Sequence, residues 1–367
     1  MIIDQLPSRT IKYESENYLF FSGTSYLGIG HQADFRKELA EGIMHYGTIF
    51  SASRNNNLKL AIYEEAESFL ARWTGAEAAL TVSSGMLAGQ LAVKSLENHT
   101  FIYAPSVHPA IWGTAFSKKQ LFTNMTEFEN KIVKIVSKAK TPIAICCNAI
   151  DPLYCEKYNF DWIFQLPDNQ DITLVLDDSH GLGVTYTDGT SRDNREGGGI
   201  MRKLADLHIF QKKSNLKIIV IASMAKALGI PGGVILSDKK TVSIIQNNPL
   251  FVGASPIVPA YLYAFLKSQA VYKEARERLL HNIDYFKNGC TKYKLPPTLF
   301  NFLPNYPVFN TPKSGLYSVL LKNKILISNF SYPLATSTPI TRIILSALHT
   351  EGDIETLVSC LQRTMDK

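Results

Sequence analysis

Several features that often reveal what a protein does are scarce in this sequence of 367 residues. The five cysteines form no CxxC pair and no metal-ligand spacing, so neither a metal site nor a disulfide framework is expected. No apolar run reaches the roughly 18 residues needed to cross a bilayer, and the N-terminus lacks a signal-peptide pattern. We therefore expect a cytoplasmic protein with reduced thiols and no membrane partner.

Neither positive nor negative charge is concentrated in one part of the chain. The formal net charge is +6, but the basic residues are scattered, with pairs at 118–119, 212–213 and 239–240 and no longer run. This distribution is typical of a solvated surface, so no nucleic-acid partner is expected. With 46% apolar and 19% charged residues, the chain can instead form one large core and a smaller domain.

What the sequence does contain is an alternation of amphipathic helical segments with short apolar runs, from about residue 60 to about residue 250. The runs are AALTVSSG, TFIYAP, TPIAICC, DITLVLDDSHG, LKIIVIAS and GGVILSD. Near-continuous apolar strands between helices predict an α/β fold with a mostly parallel sheet covered by helices. We predict an N-terminal arm over 1–35, a large domain over 36–252 and a smaller C-terminal α/β domain over 253–367.

Three polar elements follow predicted strands, at the edge where parallel sheets bind ligands. The first is Ser84-Gly85-Met86, between the strand ALTVS and the helix MLAGQLAVKSL. Glycine lets the backbone approach a ligand, and the N–H groups of a first helical turn are oriented toward an anion. This element predicts a phosphate site, although the same pattern also occurs as a plain tight turn.

The second element is the run from Asp177 to Gly181, after the strand ITLVL. A carboxylate at a strand tip can keep a pyridine nitrogen protonated, so that the ring withdraws electrons from a forming carbanion. We assign this role to Asp177, and His180 can reach the phenolic oxygen of the same ring. A capped turn or a metal site would use the same residues, but no further ligand cluster accompanies them.

The third element runs from Ser223 to Gly229, directly after the apolar strand LKIIVIAS. Lys226 lies just beyond this strand among small residues, where an amine can have a depressed pKa and attack an aldehyde. A lysine at a strand end is more often a surface charge. The prediction that Lys226 binds pyridoxal 5′-phosphate as a Schiff base therefore depends on all three elements, which occur in this order along the chain.

Together these motifs resemble the α-oxoamine synthase family of fold type I pyridoxal-phosphate enzymes. The resemblance spans most of the chain and implies a large domain with a mostly parallel sheet plus a small C-terminal domain. Its anchors are Tyr26-Leu27-Gly28, His45-Tyr46-Gly47, Ser53-Arg54, the helix from Tyr63 to Glu67, Trp73-Thr74-Gly75, Ser84-Gly85, His108, Asp177 to Gly183, Lys226, Ser255 with Pro259, and Arg342 with Ala347 to Thr350.

The resemblance also implies a role for each matching residue. His108 would stack on the pyridine ring, Asp177 would pair with the ring nitrogen, and His180 would contact the ring hydroxyl. Lys226 would form the Schiff base and then move protons. The implied phosphate-binding residues are Ser84, Gly85, Met86 and Ser223, together with Ser255 from the partner subunit of a homodimer.

The implied substrates are a small amino acid and an acyl-CoA or acyl-carrier thioester. Arg342 would bind the amino-acid carboxylate, because a planar guanidinium can make a bidentate pair; Arg54 and Tyr26 are the other expected substrate-binding residues. The reaction would condense the two substrates with loss of CO₂, as in the formation of 8-amino-7-oxononanoate in biotin biosynthesis. Pyridoxal 5′-phosphate is the expected cofactor, and no metal is expected.

Departures from the family pattern keep two other hypotheses open. Thr24-Ser25 stands where the family has Asn-Asp, Leu58 replaces a glycine, and Ile340 replaces an arginine. The loop after Cys147 also lacks the family's Ser-Met-Asp-Gly. The shortened loop and Thr24-Ser25 motivate an aminotransferase or another amino-acid reaction on the same cofactor as the runner-up. A catalytically inactive protein that keeps the fold is the third hypothesis.

Overall fold

The structure is a computed structural model that describes residues 1–113, 122–185, 196–332 and 334–365. The chain forms two compact units. The large unit consists of Ala33–Ile150 and Tyr158–Gln269, and the small unit consists of Met1–Gln32, Asp151–Lys157 and Ala270–Lys367.

The described residues form α-helices and β-strands along the whole chain. The helices are α1 (Ala33–Tyr46), α2 (Ala61–Thr74), α3 (Gly85–Lys94), α4 (Met125–Val136), α5 (Gly199–Asp206), α6 (Ile209–Lys212), α7 (Lys239–Gln246), α8 (Pro249–Gly253), α9 (Pro259–Lys267), α10 (Gln269–Lys292), α11 (Leu316–Lys322) and α12 (Glu351–Met365). The strands are β1 (Thr10–Tyr13), β2 (Glu16–Phe21), β3 (Ala78–Val82), β4 (Thr100–Tyr103), β5 (Ile143–Asn148), β6 (Ile172–Asp177), β7 (Leu216–Ser223), β8 (Gly233–Ser237), β9 (Asn301–Phe302), β10 (Val308–Thr311), β11 (Ile325–Ser331) and β12 (Pro339–Ile344).

The sheet of the large unit confirms the predicted α/β fold. Its strand order is β3-β8-β7-β6-β5-β4, in which β4 to β7 are parallel to one another and β8 is antiparallel to both of its neighbours. Every residue of β5 and β6 is buried. Since successive side chains of a strand point to opposite faces, both faces of the sheet are covered, as the apolar runs predict.

This strand order brings the polar elements of the sequence to one edge of the sheet. The chain directions place the carboxyl ends of β3, β4, β5, β6 and β7 at the same edge, together with the amino end of β8. Ser84, Asp177 and Ser223 lie at the ends of three of these strands. The sheet topology therefore concentrates the candidate chemistry at one edge.

The small unit is built on a second sheet, with the order β1-β2-β11-β12-β10-β9. Most of its pairs are antiparallel, but β2 runs parallel to β11, with Leu19 opposite Ile325. The expected N-terminal arm over 1–35 therefore contributes two strands to this unit. It is not a separate element, because β2 completes its hydrogen bonds on a strand of the C-terminal region.

The other predicted boundary also differs from the observed division. The small unit begins at Ala270, whereas the prediction places it at residue 253. The reason is that α9 packs against α1 and α2 of the large unit. At this crossing, a Cβ atom on Gly42 would lie 2.8 Å from the carbonyl oxygen of Ala260.

The described ranges contain no candidate membrane span and no candidate metal cluster. No helix in them combines the length and hydropathy that a membrane span requires. Nor do they hold three or more His, Cys, Asp or Glu side chains arranged around a common point as a metal site would need.

Candidate active site

The turn before α3 meets the end of β7 at very close range. The Ser84 hydroxyl caps α3 by accepting the N–H of Leu87 at 3.1 Å. A Cβ atom on Gly85 would lie 2.7 Å from the Cβ of Ser223, and one on Gly233 would lie 2.3 Å from the carbonyl oxygen of Ser84. Only glycine permits this approach, which brings the predicted phosphate-binding residues Ser84, Gly85 and Ser223 together.

Asp177, at the end of β6, is 6% exposed and lies in a hydrogen-bonded turn. Its Oδ1 accepts the N–H of Ser179 at 2.9 Å. The Ser179 hydroxyl in turn accepts the N–H of Ser223 at 2.9 Å. Ser179, which the sequence did not single out, therefore joins the carboxylate to the strand that leads to Lys226.

His108 lies beside Asp177, with its Nδ1 3.4 Å from Oδ2 of the carboxylate. The same Nδ1 accepts the N–H of Ala110 at 3.2 Å, so the neutral ring carries its proton on Nε2. Burial lowers the pKa of His108; Asp177 opposes this shift, and the charge of Lys226 adds to it. The charges of Asp177 and Lys226 thus both act on the imidazole of His108.

Lys226 lies in a short closed loop between β7 and β8. The N–H of Met224 donates to the carbonyl of Gly232 at 2.9 Å, and the N–H of Ile230 donates back to Met224 at 3.2 Å. Gly229 adopts a φ of +66°, which permits the tight turn. The loop holds Lys226 half-buried, at the same sheet edge as Asp177 and Ser223.

Asp178 has a different environment from its neighbour Asp177. It is fully buried, and its Oδ2 accepts the N–H of Ile200 near the start of α5 at 2.8 Å. Cβ atoms on Gly181 or Gly199 would lie 2.0 Å from its carboxylate oxygens. Burial raises the pKa of Asp178 to about 8. Asp178 is therefore an internal link between this turn and α5.

The remaining predicted cofactor residues lie at more open positions. Met86 is 51% exposed in the first turn of α3, and Ser255 is exposed between α8 and α9. His180 is half-buried and follows Ser179 in the turn after β6. Their predicted roles, like those of all the residues taken from the resemblance, stay predictions.

Arg54, predicted to bind substrate, is engaged inside the large unit. Its guanidinium makes a bidentate pair with Glu67, at 2.8 and 2.9 Å, and also donates to Thr81. The guanidinium carbon lies 4.1 Å from the centre of the Tyr63 ring. No local sequence pattern predicts this pairing, because Arg54 and Glu67 are on different segments.

Arg342 and Tyr26 lie together in the small unit. Arg342 is 5% exposed; it donates through Nη1 to the carbonyl of Pro152, and it lies over the ring of Phe330. Its buried Nε has no hydrogen-bond partner in the part of the chain that the structure describes. The Tyr26 hydroxyl lies 3.4 Å from that of Tyr306, and burial raises the pKa of Tyr26 to about 12 although Arg342 opposes the shift.

The large-unit site fits pyridoxal 5′-phosphate. The cofactor needs an anion cradle for its phosphate, a carboxylate for its ring nitrogen and an amine for its aldehyde. The glycine-lined junction of Ser84, Gly85 and Ser223 would supply the first, Asp177 would supply the second and Lys226 would supply the third.

The chain resembles known proteins over almost its whole length. Residues 21–361 match the family described as aminotransferase class I and II. An 8-amino-7-oxononanoate synthase of Dechloromonas aromatica is 24% identical over an alignment that covers 96% of this chain and 92% of that protein. The enzyme of the same name from Fervidobacterium nodosum is 24% identical, with 94% and 88% covered.

Two solved structures share the fold. Serine palmitoyltransferase of Sphingomonas wittichii has a TM-score of 0.78 at 12% identity, covering all of this chain and 92% of its own. The 8-amino-7-oxononanoate synthase of Francisella tularensis has a TM-score of 0.69 at 20% identity, covering 95% and 98%. The predicted fold and cofactor are thereby confirmed, and the chain belongs to the aminotransferase class I and II family, as a pyridoxal-phosphate-dependent transferase.

Proposed function

We propose that this protein is an α-oxoamine synthase, which condenses a small amino acid with an acyl-CoA or acyl-carrier thioester and releases CO₂. The observation that carries the proposal is the assembly of His108, Asp177 and Lys226 at one sheet edge. The similar proteins named 8-amino-7-oxononanoate synthase favour this reaction over transamination.

The large-unit residues have distinct tasks in this reaction. Bound pyridoxal 5′-phosphate supplies an aldehyde for the substrate amine and a ring that withdraws electrons from the reacting Cα. Asp177 would hold the ring-nitrogen proton through Oδ2, since Oδ1 already accepts the N–H of Ser179. Lys226 would take the Cα proton on Nζ, and His108 would exclude water from the ring by covering it.

We assign the amino-acid carboxylate to Arg342 in the small unit. Its buried Nε, without an acceptor among the described residues, is a donor that a carboxylate can satisfy. The neighbouring hydroxyls of Tyr26 and Tyr306 stay protonated at neutral pH, because burial raises the pKa of both. They add neutral hydrogen-bonding groups and no competing negative charge.

A paired-product assay tests the proposed reaction. The protein loaded with pyridoxal 5′-phosphate is given alanine, glycine or serine with a panel of acyl-CoA thioesters, and free CoA and CO₂ are measured together. We expect equal amounts of both products, dependent on the amino acid. Conversion of one equivalent of the amino acid to its oxo acid, with the amino group retained on the cofactor as its pyridoxamine form and no CoA released, would instead establish an aminotransferase.

We also propose that the protein works as a cytoplasmic homodimer. Large apolar side chains are exposed around the end of α1, the following segment and α8, including Met44 at 87% and Leu58 at 65%. Such a surface suits burial against a second copy. The five cysteines are all free thiols, which suits a reducing compartment.

A further inference from the structure

The amide of Asn148 joins two loops at the edge of the large sheet where the cofactor residues lie. Asn148 ends β5 and is 7% exposed. Its Oδ1 accepts the backbone N–H of His108 at 3.1 Å, and its Nδ2 donates to the carbonyl of Ser106 at 2.9 Å. Both functions of the amide are therefore used on the segment that presents His108.

The backbone of this segment has an unusual shape. Ser106 has a φ of +54°, in the left-handed region that residues with a side chain rarely adopt. Pro109 follows His108 and restricts it to the extended backbone that is observed, with φ −67° and ψ 141°. The two hydrogen bonds of Asn148 are made to the backbone of Ser106 and of His108, on either side of this bend. They fix the position of the His108 backbone, from which the imidazole extends.

Asn148 also relates His108 to the carboxylate at the centre of the site. In the parallel pair of β5 and β6, Asn148 lies opposite Asp177. The N–H of the next residue, Ala149, donates to the carbonyl of Asp177 at 2.9 Å. The Asn148 side chain therefore holds the His108 loop next to the end of β6, where Asp177 lies. In this arrangement Nδ1 of His108 is 3.4 Å from Oδ2 of Asp177.

We infer that Asn148 is a positioning residue that holds His108 over the place of the cofactor ring. The inference rests on the proposed function, in which His108 covers that ring. Asn148 acts through His108, so loss of the amide weakens cofactor binding only while the imidazole is present. A buried amide that merely satisfied backbone groups would lower stability without this dependence.

A double-mutant cycle on cofactor affinity tests this inference. The dissociation constant of pyridoxal 5′-phosphate is titrated by absorbance for wild type, Asn148→Ala, His108→Ala and the double variant, and visible circular dichroism records the bound cofactor. Asn215→Ala is the matched control, because the Asn215 amide also makes two hydrogen bonds to backbone groups, from Nδ2 to the carbonyls of Pro167 and Gln170, and Asn215 directly precedes β7, away from the strand end at Ser223. Thermal unfolding is followed for every variant, and Asn148→Ser replaces Asn148→Ala if the latter does not fold.

We expect Asn148→Ala to weaken binding about tenfold and to reduce the circular dichroism signal, since two hydrogen bonds to the segment are lost. In the His108→Ala background the same change should cost less than about twofold. Asn215→Ala should leave affinity unchanged. Unchanged affinity in Asn148→Ala, or full additivity in the double variant, would overturn the inference while leaving the proposed function intact. Failure of the wild type to bind the cofactor would overturn both.

Discussion

Asp177 and Asp178 are adjacent carboxyl groups that the fold assigns to different tasks. Asp177 lies at the strand end beside His108, whereas Asp178 is enclosed by the turn and by the start of α5. Because burial raises its pKa to about 8, Asp178 is largely protonated and neutral at pH 7.

Asparagine substitutions should show that the two carboxyl groups contribute differently to turnover. Asp177→Asn removes the charge that would keep the ring nitrogen of the cofactor protonated, so turnover should fall about a hundredfold or more while the fold is retained. Asp178→Asn replaces a mostly neutral group by a neutral one of the same size, and turnover should stay within a few-fold. Steady-state kinetics of both variants checks this prediction; equal losses would contradict it.

Arg54 and Glu67 form a pair that should contribute mainly to stability. Their side chains are 8% and 12% exposed, so Arg54→Met leaves a nearly buried carboxylate without its cation and should cost about 3 kcal/mol in urea unfolding. Arg278→Met is the control, since its pair with Glu274 is exposed, and it should cost less than about 1 kcal/mol. A raised KM for the amino acid with unchanged stability would instead assign Arg54 to the substrate.

The sequence predicts the site residues whose positions follow from strand ends. Asp177, Ser223 and Ser84 each follow an apolar run, and parallel strands bring such ends together. The contact of Asn148 with the His108 loop is not predicted, because α4 and the rest of β5 lie between that loop and Asn148 in the chain. Hydrogen-bond partners of this kind leave no periodic pattern in the sequence.

The start of α12 depends on a buried histidine. His349 is 5% exposed; its Nδ1 accepts the N–H of Ser346 at 3.0 Å, and its Nε2 donates to the carbonyl of Phe20 at 2.9 Å. The ring stacks on Phe21 of β2. Burial lowers the pKa of His349 to about 4, so the neutral form is the one that the fold binds.

The stability of the protein should therefore fall in mild acid. Unfolded histidine binds a proton below about pH 6.5, whereas folded His349 does so only near pH 4, so the unfolded state gains protons first. His349 alone should remove up to about 3 kcal/mol between these values. His349→Gln should flatten this part of the profile in urea titrations, and His281→Gln, an exposed control, should not. Equal profiles for wild type and His349→Gln would contradict the prediction.

The sequence predicts features that depend on neighbouring residues, but it does not predict features that depend on pairing between distant segments. The spacing of Thr350 and Asp353 predicts a capping box at the start of the last helix, and both reciprocal hydrogen bonds are present, at 2.9 and 3.2 Å. The parallel pairing of β2 with β11 joins opposite ends of the chain. No local pattern encodes such a partner, which is why the N-terminal strands were expected to form an arm.

A mixed dimer would show whether active sites are shared between subunits. Lys226→Ala and Ser255→Asp should each inactivate a homodimer, the second because it places a negative charge near the phosphate. If Ser255 acts on the partner's site, co-expressed variants form one intact site per mixed dimer, and about a quarter of wild-type activity should return. Purified mixed dimers with no recovered activity would mean that Ser255 serves the site of its own subunit, and an active Ser255→Asp homodimer would mean that it serves neither site.

The role of Lys226 is tested most directly by chemical trapping. The protein is incubated with pyridoxal 5′-phosphate, reduced with borohydride and digested, and the phosphopyridoxyl group is located by mass spectrometry. We predict that the label lies on Lys226, in the loop between β7 and β8, and that Lys226→Ala abolishes it without unfolding the protein. Label spread over other lysines, or retained in full by Lys226→Ala, would contradict the assignment of this site.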